Sequence, residues 1–180
     1  MSKIIVFSGA SGVGKSTVLK LVMAARPDLR FSVSATTRAP REGEVDGVSY
    51  FFVTREEFQR MIDRGELLEY DEHFGNLYGT PISQVTSGGN VVLDVEPNGA
   101  FNARKANPEA MLVFITPPSM EELERRLRSR GDTSEEQIEK RLARASWEME
   151  QRDKYDHVVY NHVVDDCAKE ILEIIAQVAD

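Results

Sequence analysis

One segment near the start of the chain limits what it can fold into more than any other. The apolar run of residues 4–7 is typical of a buried β-strand, and it leads into Gly9-Ala10-Ser11-Gly12-Val13-Gly14-Lys15-Ser16. This stretch matches the pattern G-x-x-x-x-G-K-[ST], in which glycines let the backbone curl around a phosphate chain with its N–H groups pointing inward. Residues 17–25 read as a helix, whose positive end would face the phosphates. The segment predicts a nucleoside triphosphate site.

The residues of this phosphate loop are expected to have separate tasks. Lys15 can reach the β- and γ-phosphates, and the hydroxyl of Ser16 can hold Mg²⁺. The other loop residues and the first helical turn contribute backbone N–H groups. The predicted triphosphate-binding residues are Gly9, Ala10, Ser11, Gly12, Val13, Gly14, Lys15, Ser16 and Thr17.

Length and composition exclude several classes of protein. The 180-residue chain is 41% hydrophobic and 29% charged, an ordinary mixture for a single globular domain. Its net charge of −8 argues against non-specific nucleic-acid binding, which needs a basic face. The single cysteine, Cys167, excludes an internal disulfide. No apolar run approaches a membrane span, and the short strand before the loop leaves no room for a signal peptide, so we expect a cytoplasmic protein without a membrane partner.

Strand patterns alternate with helical patterns along most of the chain. Further strands are predicted at residues 91–94, 111–115 and 157–160, each followed by a helical pattern. Such alternation predicts an α/β fold with a doubly wound, mostly parallel sheet. Its ligand crevice is expected at the carboxyl ends of the strands, where the phosphate loop and Asp94 fall.

Two stretches interrupt this alternation, as an inserted subdomain and a lid would. Residues 34–86 are rich in loops and aromatic side chains, and residues 128–144 are rich in arginine and glutamate with little apolar content. The prediction is one domain, with an inserted subdomain at residues 34–86 and a lid at residues 128–144. Its predicted core comprises residues 1–33, 87–127 and 145–180.

Two carboxylates are candidates for chemistry. Asp94 closes an apolar strand, the position from which a carboxylate orients the Mg²⁺ shell in phosphate-loop enzymes. The alternative is a strand-end aspartate that accepts hydrogen bonds from backbone N–H groups. Glu69 lies among apolar and aromatic residues. A carboxylate there matches the two adjacent N–H donors of guanine and does not match adenine, whereas the alternative is a surface glutamate on a strand.

Arginines provide candidate phosphate ligands in two places. Arg38 and Arg41 flank a proline, and planar guanidinium groups bind phosphate with two hydrogen bonds. Tyr50 and Tyr78 are further donors for the same anion, and a solvated basic loop is the alternative.

The second group of arginines is sorted by possible partners four residues away on a helix. Those with a glutamate at that spacing are Arg125, Arg126, Arg128 and Arg144. Arg130 and Arg141 have no carboxylate at either such position, which leaves them available for the charge that develops in phosphoryl transfer.

Over essentially its whole length the sequence resembles the guanylate kinase family. The matching segments, in the order of the family, are residues 9–16, 31–41, 43–50, 75–80, 92–96 and 116–119. The resemblance implies an enzyme of purine nucleotide metabolism that transfers a phosphoryl group from ATP to GMP, and also to dGMP, with Mg²⁺ as cofactor. Two alternatives stay open: a protein-binding module that has lost catalysis, and a kinase for another phosphorylated small molecule.

The resemblance implies that the insertion at residues 34–86 binds GMP and that residues 128–144 form a helical lid. It also implies roles for single residues. Ser34, Glu69 and Thr80 would hold guanine, and Glu96 would face the same base. The side chains implied to grip the GMP phosphate are Arg38, Arg41, Tyr50 and Tyr78. Those implied to act on the transferring group are Lys15, Arg38, Arg130 and Arg141. The sequence departs from the family pattern at Glu96 and Asn98, where aspartate and glutamine are frequent.

Overall fold

The computed structural model describes residues 3–129 and 134–179 of the chain. The chain divides into two compact units, the first made of Met1–Val6 and Asp28–Met111 and the second of Phe7–Pro27 and Leu112–Asp180. The predicted core, insertion and lid are a division by function, and they stay a prediction.

Strands and helices alternate along most of the described chain. The strands are β1 (Ile4–Gly9), β2 (Leu29–Phe31), β3 (Ala35–Thr36), β4 (Phe51–Phe52), β5 (Leu67–His73), β6 (Asn76–Pro81), β7 (Asn90–Asp94), β8 (Met111–Thr116) and β9 (His157–Tyr160). The α-helices are α1 (Lys15–Ala25), α2 (Arg55–Asp63), α3 (Ile82–Thr86), α4 (Pro97–Ala106), α5 (Met120–Ser129), α6 (Glu135–Glu150) and α7 (Val164–Ala179).

The larger sheet has the strand order β2-β7-β1-β8-β9. Strand β2 is parallel to β7, and β8 is parallel to β9. All residues of β1 and β8 are buried, which explains why both are continuous apolar runs rather than alternating patterns. The prediction of an α/β fold with a mainly parallel sheet is therefore confirmed.

A second sheet, with the order β4-β3-β6-β5, lies in the first unit. Strands β5 and β6 form an antiparallel hairpin in which Glu69 pairs with Thr80. No sequence pattern predicted this hairpin, because β5 reads Leu-Leu-Glu-Tyr-Asp-Glu-His and lacks a regular apolar alternation. Helix α2 packs here through Phe58, its buried residue, whose Cζ lies 3.0 Å from an ideal Cβ position on Gly79.

Helices α5 and α6 of the second unit each begin after a serine whose hydroxyl caps the first turn. The Ser119 hydroxyl accepts a hydrogen bond from the Glu122 N–H at 3.1 Å, as the capping-box pattern predicts. Helix α7 packs against α1 and buries Ile171 and Ile175. None of the helices in the described residues is both long and apolar enough to cross a membrane.

Phe58 offers a test of how the smaller sheet is held. Its side chain is fully buried, so we expect Phe58→Ala to lower the free energy of unfolding by about 3–5 kcal/mol, through lost burial and the cavity left behind. The matched control is Val48→Ala, at a side chain 69% exposed, which should change it by less than about 0.5 kcal/mol. Urea denaturation measures both, and similar losses for the two variants would contradict this packing.

Candidate active site

In the second unit, the loop after β1 has the backbone geometry of an anion-binding nest. Gly12 and Gly14 have φ angles of +86° and +91°, the left-handed region that favours glycine. Gly9 passes so close to Ile115 that a Cβ would lie 2.6 Å from the Ile115 carbonyl oxygen. Within the described residues, neither the Gly12 nor the Gly14 N–H donates to a protein acceptor. Donors are thus left for an anion at the N-terminal end of α1.

Two buried side chains from distant parts of the same unit hold this loop. The Ser11 N–H donates to Glu148 Oε2 at 2.8 Å, and Asn161 Nδ2 donates to the Val13 carbonyl oxygen at 2.8 Å. The paired residues are 137 and 148 positions apart in the chain. No local sequence pattern indicates either contact.

The predicted magnesium ligands, Ser16 and Asp94, are both hard oxygen donors. Ser16 is exposed in the first turn of α1, and Asp94 ends β7 in a half-buried position. No group of three or more His, Cys, Asp or Glu side chains within residues 3–129 and 134–179 is arranged to hold a metal by itself. Mg²⁺ at a phosphate site takes one or two protein oxygens and completes its shell with phosphate and water, so each of these side chains by itself has the donor chemistry for such an ion.

In the first unit, Glu69 lies inside the β5–β6 hairpin region with only 5% of its surface exposed. The Thr80 hydroxyl donates to its Oε1 at 2.6 Å. On the other side, a Cβ on Gly99 would lie 2.8 Å from Glu69 Oε2, so the first turn of α4 passes directly beside the carboxylate. Glu69 is therefore not the surface glutamate of the alternative interpretation.

The setting of Glu69 changes its ionisation. Burial raises its pKa to about 7, the negative charge of Asp71 on the same strand adds to the rise, and the Thr80 hydrogen bonds oppose it. Near neutral pH the group is therefore divided between its protonated and ionised forms. A ligand that brings N–H donors to this carboxylate favours the ionised form.

The predicted phosphate-binding side chains of the first unit are partly brought together. The Arg38 guanidinium binds Glu44 with two hydrogen bonds of 2.8 and 3.0 Å, which together with Tyr78 raise the pKa of Arg38 against the opposing effect of burial. It lies over the Tyr50 ring at 5.4 Å, and the Tyr50 and Tyr78 rings are 6.0 Å apart. The Arg41 side chain is exposed, while its N–H donates to Glu44 at 2.7 Å.

Glu44 was not among the predicted site residues, although an acidic residue six positions after an arginine in the same loop was visible in the sequence. Its carboxylate fixes the Arg38 fork and the adjacent turn at the same time. The other predicted guanine ligands lie in the same unit. Ser34 is half-buried and its carbonyl oxygen accepts the Phe51 N–H at 2.9 Å, Thr80 is fully buried, and Glu96 precedes the first residue of α4.

The predicted arginines of α5 and α6 fall into two groups. Arg125 and Arg126 both bind Glu122, at 2.7 and 2.8 Å, so the partner of Arg125 is not the expected Glu121. Arg141 is half-buried on α6 and has no ion pair or hydrogen bond with another described residue. Arg130 lies outside the described residues.

The comparisons with known proteins agree on one family. The family model described as guanylate kinase matches residues 1–178. The chain is 45% identical to the guanylate kinase of Prochlorococcus marinus subsp. pastoris, with 97% of each chain covered. It is 49% identical to that of Trichormus variabilis, covering 88% of this chain and 82% of the relative. The crystal structure of the guanylate kinase from Anaplasma phagocytophilum matches with a TM-score of 0.78 and 34% identity, covering 99% of this chain and 87% of that one.

The raised pKa of Glu69 predicts how stability depends on pH. Because the folded pKa of about 7 exceeds the ordinary value of 4.5, the folded state binds the proton more tightly than the unfolded state. The free energy of unfolding should therefore fall by about 3 kcal/mol as the pH rises from below 4.5 to above 7.

Glu69→Gln cannot titrate and should lack this component of the pH dependence. Denaturation of both proteins over the same pH series isolates the contribution of Glu69 from all other titrations. Parallel stability curves for the wild type and the variant would contradict the assignment.

Proposed function

The chain belongs to the guanylate kinase family, and on this basis we propose that it transfers the γ-phosphoryl group of ATP to GMP and dGMP. The products are ADP and the guanosine or deoxyguanosine diphosphate. The observation that carries this proposal is the buried Glu69 carboxylate bound to Thr80, because a desolvated acceptor selects strongly among nucleobases.

Guanine and Glu69 are chemically complementary. The base edge presents a ring N–H beside an amino group, and a carboxylate accepts from both. Adenine has an acceptor nitrogen where guanine has its ring N–H. That nitrogen would face a buried Glu69 oxygen with no proton between the two atoms. We assign Glu69, Thr80, Ser34 and Glu96 to the base.

The GMP phosphate is assigned to the cationic and phenolic groups of the same unit. Arg38 is already oriented by Glu44 and supported by the Tyr50 ring, so little side-chain freedom is lost when an anion binds. Tyr78 and Tyr50 supply hydroxyl donors. Arg41 lies in the same loop and adds a second guanidinium.

The triphosphate of ATP is assigned to the phosphate loop of the second unit. The N–H groups of Gly12 and Gly14 and the positive end of α1 attract the phosphates, and Lys15 begins that helix. Contrary to the expectation for the whole loop, the N–H groups of Ala10, Ser11, Val13 and Thr17 are already bonded within the protein. The residues assigned to ATP are Gly9, Ala10, Ser11, Gly12, Val13, Gly14, Lys15, Ser16 and Thr17. Ser16 and Asp94 would hold Mg²⁺, which neutralises phosphate charge when bound.

The reaction needs alignment and charge neutralisation more than covalent chemistry. An oxygen of the GMP phosphate is already a nucleophile and attacks the γ-phosphorus in line, so no covalent enzyme intermediate and no general base are required. Lys15, Arg38, Arg130 and Arg141 are assigned to the charge that develops on the transferring group. Closure of the lid segment excludes water and limits ATP hydrolysis.

Specific residues argue against both alternatives. A binding module without catalysis has no need for the intact Gly14, Lys15 and Ser16 of the loop. A kinase for a phosphorylated sugar has no need for a buried Glu69 and Thr80, which fit a nucleobase.

The proposal is tested by measuring ADP release from ATP with GMP, dGMP, AMP, CMP and UMP as separate acceptors. GMP and dGMP should support turnover, and the other three should give rates at least about 100-fold lower. Comparable turnover with AMP, or no turnover with any of the five, would overturn the proposal.

Lys15→Met tests the assignment of the phosphate loop. The ammonium group matters most in the transition state, so kcat should fall by about 100-fold or more while the affinity for GMP stays unchanged. Steady-state kinetics and a GMP titration give the two quantities, with the melting temperature as folding control. A folded variant with wild-type kcat would contradict the assignment.

Arg141→Ala and Arg125→Ala form a matched pair, since both remove an arginine from neighbouring helices. Arg141 has no partner among the described residues, so its loss should lower kcat by about 10²–10³-fold with little change in the affinity for either nucleotide alone. Arg125 is exposed and bound to Glu122, and its loss should leave kcat and the melting temperature nearly unchanged. Equal losses of kcat in the two variants would show that the wrong arginine was assigned.

A further inference from the structure

The side chain of Glu148 is a fully buried charge that the proposed reaction does not use. It lies in the last turn of α6 with 0% of its surface exposed. Its Oε2 accepts the Ser11 N–H at 2.8 Å, and its Oε1 accepts from Arg144 Nε at 3.0 Å. A carboxylate is costly to remove from water, and here the cost is offset by an opposite charge and a backbone donor. Both oxygens are committed to defined partners.

The contact with Ser11 fixes the phosphate loop at a point where its backbone conformation is tightly restricted. Ser11 lies between Gly9, which has no room for a side chain, and Gly12, which is in the left-handed conformation. A carboxylate that accepts a hydrogen bond from a phosphate-binding loop also repels the phosphate. Arg144 balances that charge, and its guanidinium is held over the Trp147 ring at 4.4 Å.

Helix geometry connects this contact with Arg141. Seven residues make nearly two turns, so Arg141 and Glu148 differ by roughly 20° around the axis of α6 and by roughly 10 Å along it. The two side chains therefore leave the helix on the same face. Because Glu148 binds the phosphate loop, the face that carries Arg141 is held toward the loop.

We propose that Glu148 is a positioning residue for phosphoryl transfer: by binding the Ser11 N–H it keeps the Arg141 face of α6 turned toward the phosphate loop. This inference rests on the proposed function. Glu148 positions Arg141, and Arg141 acts on the transferring phosphoryl group. The residues assigned to GMP belong to the other unit, and the inference gives Glu148 no role in binding GMP.

Glu148→Gln is the direct test, since glutamine has the same shape but accepts hydrogen bonds on one oxygen only. Either Ser11 or Arg144 then meets an amide donor instead of an acceptor. We expect kcat to fall by about 10- to 100-fold with the KM for GMP within about twofold of wild type. Glu150→Gln is the matched control, the same substitution at an exposed position of the same helix, and it should leave kcat unchanged.

A double-mutant cycle separates positioning from simple stability. If Glu148 acts through Arg141, Glu148→Gln should lower kcat by less than about threefold in the Arg141→Ala background. Rates are normalised to the folded fraction. If Glu148→Gln does not fold, Glu148→Asp replaces it in the cycle, because it keeps the charge but withdraws the carboxylate by one methylene group.

The inference would be overturned if the factors by which the two substitutions lower kcat simply multiply in the double variant. A wild-type kcat in the folded Glu148→Gln variant would also overturn it. An activity loss fully explained by the unfolded fraction would also overturn it. The wild-type rate with GMP is the reference in each assay. If the wild type shows no turnover with GMP, the proposed function is contradicted and the inference with it. If the wild type turns over GMP and Glu148→Gln has the same kcat, only the inference is contradicted.

Discussion

A carboxylate removed from water stays ionised only if its neighbours replace the hydrogen bonds and positive charge that water supplied. This constraint governs one buried glutamate in each unit. Glu148 has Arg144 and the Ser11 N–H as partners, and is thereby tied to the phosphate loop. Glu69 has hydrogen bonds from Thr80 and the charge of Asp71 nearby, and its pKa rises to about 7. The partners of Glu148 come from the protein, whereas we propose that the partners of Glu69 are completed by its ligand.

The two units meet different chemical demands with different groups. The phosphate loop binds an anion with backbone N–H groups, which requires left-handed glycines and leaves no choice of side chain at Gly12 and Gly14. The proposed base site needs an acceptor that discriminates between nucleobases, and a desolvated carboxylate discriminates because an unmatched partner leaves it without a hydrogen bond. Selectivity for the acceptor and affinity for the triphosphate can thus be altered separately.

Local patterns made much of this structure predictable. The phosphate loop and the apolar strands β1 and β8 are each specified by neighbouring residues, and the structure has them where they were expected. The β5–β6 hairpin was missed because its strands are mostly polar and are ordered by packing against Phe58 and α4. The contacts of Glu148 and Asn161 with the loop join residues more than 130 positions apart, and only the folded chain brings them together.

The most direct measurement of this account is proton release on GMP binding. Calorimetric titrations at pH 6.5 in buffers of different ionisation enthalpy, at concentrations that saturate both proteins, give the number of protons released by the wild type and by Glu69→Gln. With a ligand-free pKa of about 7, Glu69 should add release of about three-quarters of a proton, and the variant should lack it. The GMP phosphate titrates in both experiments and cancels. Equal proton release by the two proteins would contradict the claim that guanine completes the buried carboxylate.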